Sequence, residues 1–275
     1  MNREHCDVLI IGAGPGGISA ASKVVLQGKT AILINDGALM GYGIEGAFKS
    51  KAGYEIIREY LHVKYRADVF GQIPAMDFSA LQRGVERSAA NLSAMLASRL
   101  QRLKIKVVQG KGRFVDAHRI SVGGQEYSGD HIVIAAGTRP RILPYMLVDG
   151  KRVITSDEAV NLTHSPGSIV ILGAGVIGCE FASMFNAMGT RVHLVDSRPR
   201  IMSNEDRDIS DFIQNAFHAR GIQVIPSSRY RSLTLRKNAV QVNLSNGDIT
   251  AELILLAVGR IPCTDELNLA AAGIA

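Results

Sequence analysis

Residues 7–36 read DVLIIGAGPGGISAASKVVLQGKTAILIND, and their order decides the fold. Residues 8–11 form an apolar run of the kind buried on both faces of a parallel sheet. Gly12, Gly14 and Gly17 follow in GxGxxG spacing. A helical segment is expected from about 16 to 27, and a second apolar strand at 30–34. Strand, glycine turn, helix and strand within one short unit lift the glycine spacing above chance. Gly12 permits a tight turn, Gly14 lets a diphosphate approach the backbone, and Gly17 lets the helix pack on the strand. The helix start then offers N–H groups and a positive dipole end to an anion.

The same pattern returns at 168–197, SIVILGAGVIGCEFASMFNAMGTRVHLVDS, with Gly173, Gly175 and Gly178. Gly173 lies 161 residues after Gly12, and the same offset carries Asp196 onto Asn35. Two dinucleotide-binding units with one internal metric are expected. Asp196 stands where ribose hydroxyls should lie and would repel a 2′-phosphate, which favours NAD over NADP. Arg198 and Arg200 follow it, either to grip a phosphate or as part of a solvated loop, so NADP stays open. Asn35 hydrogen-bonds a hydroxyl less strongly than a carboxylate does, and Asp36 beside it can substitute. HIVIAAGTRP (131–140) and LILLAVGRIP (253–262) echo one another, each an apolar strand ending in glycine and then proline. Gly137 and Gly259, with Gly112 of GKGRFVDAHRI, complete the expected cofactor-binding set.

Of the 275 residues, 47% are hydrophobic and 20% charged, a globular balance. No apolar run reaches the roughly 20 residues of a membrane span, and the N-terminus runs straight into a strand without the look of a signal peptide. The formal charge is +6, yet the cations are scattered, tryptophan is absent and aromatics are only 5%. That argues against nucleic acid, whose single strands need aromatic platforms on a basic groove. Cys6, Cys179 and Cys263 are far apart and form neither a CxxC pair nor a metal cluster. A reduced, cytoplasmic setting is expected, and no metal.

GAGPGG (12–17), SK (50–51), AAGTRP (135–140), TSDEAV (155–160), GAGVIGCE (173–180) and AVGRIP (257–262) together resemble the FAD- and NAD(P)-dependent pyridine nucleotide–disulfide oxidoreductases, in that family's order and over essentially the whole chain. GAGVIGCEFASMFNAMG and GKGRFVDAHRI are similar to its soluble transhydrogenase and lipoamide dehydrogenase-like branch. The resemblance implies an α/β protein of two Rossmann-like domains of the three-layer ββα type. Residues 1–150 would hold FAD and 151–275 NAD(P). It also implies that Lys51 pairs with Glu180 beside the flavin, where a cation stabilises the electron-rich reduced ring.

Two departures follow from the resemblance. Counted back from Lys51, the redox cysteines would fall on Tyr42 and Ala47, so dithiol–disulfide exchange by the family's route is excluded. The sequence also ends at LNLAAAGIA, before the family's return to the FAD domain and before its C-terminal dimerisation domain, both of which are therefore expected to be absent. The first domain would then be incomplete. FAD would bind weakly, another copy or a partner chain would cover the gap, or another nucleotide or nothing would occupy the site. The expected function is FAD-dependent, NAD(P)H-linked electron transfer or transhydrogenation to a small-molecule acceptor without a redox disulfide. The alternatives are a non-catalytic dinucleotide-binding module and a fragment of a longer flavoprotein reductase. Elsewhere, residues 79–103 carry leucine, valine and alanine at helical spacing, capped by Asp77 or Ser79, and 105–134 suggest a small antiparallel layer.

Overall fold

The computed structural model describes residues 4–275. In chain order it contains β1 (Glu4–Ile11), α1 (Pro15–Leu26), β2 (Ala31–Asn35), a π-helix (Gly43–Phe48), α2 (Lys49–Lys64), α3 (Ala67–Phe70) and α4 (Phe78–Arg102). Then come β3 (Lys106–Gln109), β4 (Gly112–Asp116), β5 (Arg119–Val122), β6 (Gln125–Ile134), β7 (Thr138–Pro140), β8 (Val153–Thr155) and α5 (Ser156–Ala159). The last elements are β9 (Ser168–Leu172), α6 (Val176–Ala187), β10 (Arg191–Val195), α7 (Arg207–Ala219), β11 (Gln223–Ile225), β12 (Tyr230–Leu235), β13 (Val240–Leu244), β14 (Gly247–Ala251), β15 (Leu253–Leu256) and β16 (Arg260–Pro262), with a 3-10 turn at Leu269–Ala272.

The chain divides into two compact units, each discontinuous in sequence. The first comprises the chain up to Lys49, Glu86–Arg139 and Ile261–Ala275, and the second Ser50–Val85 and Pro140–Arg260. A single cut near 150 therefore departs from these units at 50–85 and 261–275, and the join itself falls between Arg139 and Pro140. Both excursions are fixed by packing far along the chain. Ile57, Leu81 and Val85 bury themselves against Met184, Ala187 and Met188. Leu267, Leu269 and Ala271 pack on the cluster of Phe114 and Ile120.

In the first unit the strand order is β3-β2-β1-β6-β5-β4. β3, β2, β1 and β6 are parallel, with Leu9 beside Ile32 and Ile132. β5 and β4 continue the sheet antiparallel. The expected antiparallel layer at 105–134 is thus only partly right: β3 joins the parallel edge, and the ten-residue β6 serves both arrangements. Side chains alternate across the sheet. Leu9, Ile11, Ile32 and Ile34 face Phe114, Ile120 and Val122. Ile10 and Leu33 face the other way, towards Ile18 and Ala21 of α1 and Leu100 of α4. With cover on both faces, the strands have no polar side, which explains their unbroken apolar runs.

The second unit repeats the plan. β11-β10-β9-β15-β8 form a fully parallel sheet. Ile169 and Ile171 pack under Phe181, Phe185 and Phe217 of α6 and α7. Val170 and Leu172 pack against Val240, Val242 and Leu244 of the antiparallel layer β12-β13-β14. This is the expected three-layer ββα arrangement. Each fully buried isoleucine or leucine contributes about 1.5–3 kcal/mol.

Helix α4 follows the expected 79–103, and Asp77 is its cap: Oδ1 accepts the amides of Ser79 and Ala80 at 2.9 and 3.2 Å. Leu81, Val85, Ala89 and Leu100 are buried, Leu92 and Leu96 half-buried and Met95 exposed. Among the described residues no helix is long and apolar enough to cross a membrane.

Candidate functional site

β1 ends at Ile11, and the chain turns sharply into α1 through Gly12 at φ +105°. A side chain at Gly12 would meet Ala135 O at 2.2 Å, and one at Gly17 would meet Gly12 O at 1.8 Å. These two glycines let strand, turn and helix touch. Gly14, the N-cap of α1, has open space where a side chain would stand. The first helical amides lack intrahelical partners. Pro15 contributes none, which leaves Gly16 and Gly17 at the helix start. The cleft in front of this elbow holds about 780 Å³, within the roughly 300–1,000 Å³ typical of cofactor sites.

Asn35, buried at the end of β2, holds the elbow in shape. Its Oδ1 accepts the amide of Ala13 at 3.2 Å and its Nδ2 donates to Gly37 O at 2.7 Å. Asp36 beside it is exposed and lines the cleft. Gly112 and Gly137 line it too: Gly112 lies close to Ile34 and Ile120, and Gly137 is exposed with φ +75°. Lys111, Arg139 and residues 263–267 complete the wall. Cys263 N donates to Gly137 O at 3.0 Å, and Phe114 N to Leu267 O at 2.8 Å, so this segment is tied at both ends. Between the ties, Arg139 Nη2 meets Asp265 at 2.6 Å and Lys111 Nζ meets Glu266 at 2.7 Å. The lysine holds the Glu266 carboxyl below the usual range.

The second elbow copies the first. Gly173 has φ +105° and its missing side chain would meet Ala257 O at 2.3 Å; at Gly178 it would meet Gly173 O at 1.9 Å. Gly175 is the N-cap of α6, again with open space. Asp196 does what Asn35 does: Oδ2 accepts the amide of Ala174 at 2.7 Å, while Oδ1 accepts that of Arg198 at 2.8 Å. It is half-buried, and each carboxylate oxygen has a lone pair to spare. Arg198 is turned onto Ser203 and Asn204, and Arg200 onto Ser203 O. Gly259 lies exposed at φ +109° beyond β15.

Lys51 and Glu180, 129 residues apart, meet at 2.7 Å within the second unit. Lys51 is 57% exposed and Glu180 37%. Beside them opens an apolar pocket of about 360 Å³ lined by Tyr54, Val176, Cys179, Met184, Met202 and Ile213. Burial, then the charges of Asp196 and Glu180, push the Cys179 thiol up to about 12. It is protonated at neutral pH and serves as a small core residue of α6. Cys6, Cys179 and Cys263 are all free thiols.

Tyr42, the residue that opens the π-helix, and Ala47, within it, are the positions that the resemblance assigns to redox cysteines, and both line the first cleft. Tyr42 leans its ring on Gly46, where a side chain would meet ring carbon Cε2 at 2.0 Å. Lys49, only 6% exposed, fastens the end of this helix, with Nζ 2.7 Å from both Glu45 and Glu86. Burial opposes its charge, but the two carboxylates outweigh it and raise its pKa.

Sequence reasoning missed Lys111, Arg139, Asp265 and Glu266, which meet only through the return of the chain end to the first unit. It also missed Met40 and Met202, whose amides donate at 2.7 Å to Ala13 O and Ala174 O, each from positive φ. A signal for these existed: ALMG (38–41) and RIMS (200–203) lie about one elbow offset apart.

The family model described as pyridine nucleotide-disulphide oxidoreductase matches residues 6–275. Dihydrolipoyl dehydrogenase of Bacillus subtilis (strain 168) is 32% identical over 277 residues, covering 96% of this chain and 60% of that protein. Soluble pyridine nucleotide transhydrogenase of Photorhabdus laumondii subsp. laumondii is 31% identical over 291 residues, covering 100% of this chain and 61% of that protein. Among solved structures, the Cu(II) complex of the HOCl-induced flavoprotein disulfide reductase RclA from Escherichia coli superposes with a TM-score of 0.86 at 27% identity, over 100% of this chain and 60% of that one. The chain thus spans about 60% of the length of the relatives it matches. Matched from residue 6 to residue 275 and built on two glycine elbows of the same turn geometry, the chain belongs to the pyridine nucleotide-disulphide oxidoreductase family.

Proposed function

We propose that this chain is an FAD-dependent oxidoreductase that takes electrons from a nicotinamide dinucleotide and delivers them to a small-molecule acceptor without a thiol relay. The observation that carries this reading is the duplicated elbow. In both copies the last glycine is closed by backbone contact, the middle glycine faces open space, and a side chain at the end of the next strand fixes the turn. The unit built on β1 and α1, which includes the returning chain end, is the FAD-binding part, and the unit built on β9 and α6 the NAD(P)-binding part.

The residues present fit both groups. Gly14 and Gly175 leave room where a diphosphate would approach, and the starts of α1 and α6 supply N–H groups and a positive dipole end. FAD held at the Gly12–Gly17 elbow would supply a hydride acceptor for reduced nicotinamide. Asp196 orients the ribose of the nicotinamide dinucleotide through its spare lone pairs and disfavours a 2′-phosphate, so NAD is preferred. Asn35, Asp36, Gly112, Gly137 and Gly259 shape the rims. The Lys51 ammonium, oriented by Glu180, supports negative charge on the reduced ring. The pocket beside that pair is lined mainly by apolar side chains, suited to a flat ring such as nicotinamide.

No cysteine stands at position 42 or 47, so acceptors that react directly with reduced flavin, such as a second nicotinamide nucleotide, a quinone or dioxygen, fit better than disulfides. The free thiols match a reducing compartment such as the cytoplasm. A second copy or partner chain is expected to complete the oligomer.

Anaerobic mixing of the FAD-loaded protein with NADH tests the reading. Bleaching of the flavin absorbance, followed by its return when an acceptor is added, is expected. Persistent yellow colour with NADH bound would overturn the catalytic reading.

A further inference from the structure

The geometry points to Tyr42 as the residue that lies against the redox ring of a flavin bound in the first cleft, a positioning residue where the resemblance implies a thiol. The inference rests on the FAD reading above. Tyr42 is the only aromatic side chain among the residues lining the cleft, and the whole chain lacks tryptophan.

The elbow fixes which end of the cleft Tyr42 occupies. On one side, Asn35 holds the amide of Ala13, and Asp36 follows it. On the other, Gly43 sits so close to α1 that a side chain there would meet Pro15 Cγ at 2.7 Å. A dinucleotide whose diphosphate faces Gly14 runs its adenosine towards Asn35 and Asp36. Its second ring then runs past Pro15, towards Tyr42.

The phenol is also held still. One face leans on the backbone of Gly46, which is buried, so the ring cannot retreat into the π-helix. Met40 anchors the preceding turn to Ala13 O, and Lys49 clamps the far end to Glu45 and Glu86. Ala47, small and lining the same cleft, leaves room for the partner ring. A fixed aromatic plane beside an open cleft stacks on a flat ligand with little further loss of freedom.

Flavin fluorescence reads this contact without turnover. A phenol touching an excited flavin donates an electron to it and quenches its emission, whereas a phenyl ring does not. The protein is loaded with FAD, freed of excess ligand by gel filtration and compared with Tyr42→Phe and, as a control at an exposed tyrosine outside both pockets, Tyr65→Phe, at matched FAD content. Wild type and Tyr65→Phe should be dim with short lifetimes, and Tyr42→Phe several-fold brighter with a lengthened lifetime. Tyr42→Trp, a stronger donor, should be as dim as wild type or dimmer. Equal brightness of wild type and Tyr42→Phe, or a bright Tyr42→Trp, would overturn the placement of Tyr42 and leave the FAD reading intact. Failure of wild type to take up FAD in equilibrium dialysis would overturn both.

Discussion

Gly14 and Gly17 lie three residues apart yet are required for different reasons, and substitution separates them. Gly17→Ala would drive a methyl group to 1.8 Å from Gly12 O. The backbone must yield, at about 3 kcal/mol or more, the scale of the severest single-residue mechanisms. A Cβ added at Gly14 meets nothing within 4 Å, so the stability cost of Gly14→Val should stay below about 1 kcal/mol. Its side chain instead fills the space for a diphosphate, and FAD binding should fall at least tenfold, by about 1.4 kcal/mol. Urea unfolding and FAD titration of the two variants check this contrast. Lys51→Met, at a pair this exposed, should change stability by less than about 1 kcal/mol. It should slow flavin reduction by NADH about tenfold, equivalent to about 1.4 kcal/mol of barrier, as stopped-flow absorbance would show.

Whereas Lys51 is singled out only by the family resemblance, residue identity alone located the two glycine turns, because φ +105° demands glycine. It did not disclose that Asn35 and Asp196 share the task of holding the elbow amide. Nor did it show that Asp265 and Glu266 face Arg139 and Lys111. Those pairings depend on where distant segments return.

At the scale of elements, periodicity located β1, α1, β9 and α4 to within a few residues, since each buries a stripe or both faces. It misjudged 105–134, because a ten-residue strand can pair parallel along one edge and antiparallel along the other. Helix α4 begins where Asp77 accepts two amides. Asp77→Ala should cost about 1 kcal/mol, measurable as a lower urea midpoint with unchanged slope. At the foot of β1, Asp7 accepts the hydroxyl and amide of Thr30 at 2.6 and 2.7 Å. These bonds bring its pKa down from 3.8 to about 2. A depressed folded-state value stabilises the fold above the unfolded value and is lost as pH falls. The stability gap between wild type and Asp7→Asn should therefore be full above about pH 5 and gone near the folded-state pKa of about 2. A gap that persisted through that window in thermal melts would contradict the assignment.

At the scale of the whole molecule, the parallel cores of the two sheets are the legible part, and the partition of the chain is not. Residues 50–85 and 261–275 leave the half in which they lie along the sequence, because Ile57 and Leu81 in one, and Leu267 in the other, find their apolar partners elsewhere. Only long-range packing records this. The duplicated elbow predicts two independent ligands of related chemistry. The most direct test titrates FAD and NADH separately into wild type, Gly14→Val and Gly175→Val by calorimetry. The account predicts that Gly14→Val loses FAD and keeps NADH, and that Gly175→Val does the reverse. Loss of both ligands in either folded variant, or of neither, would contradict it.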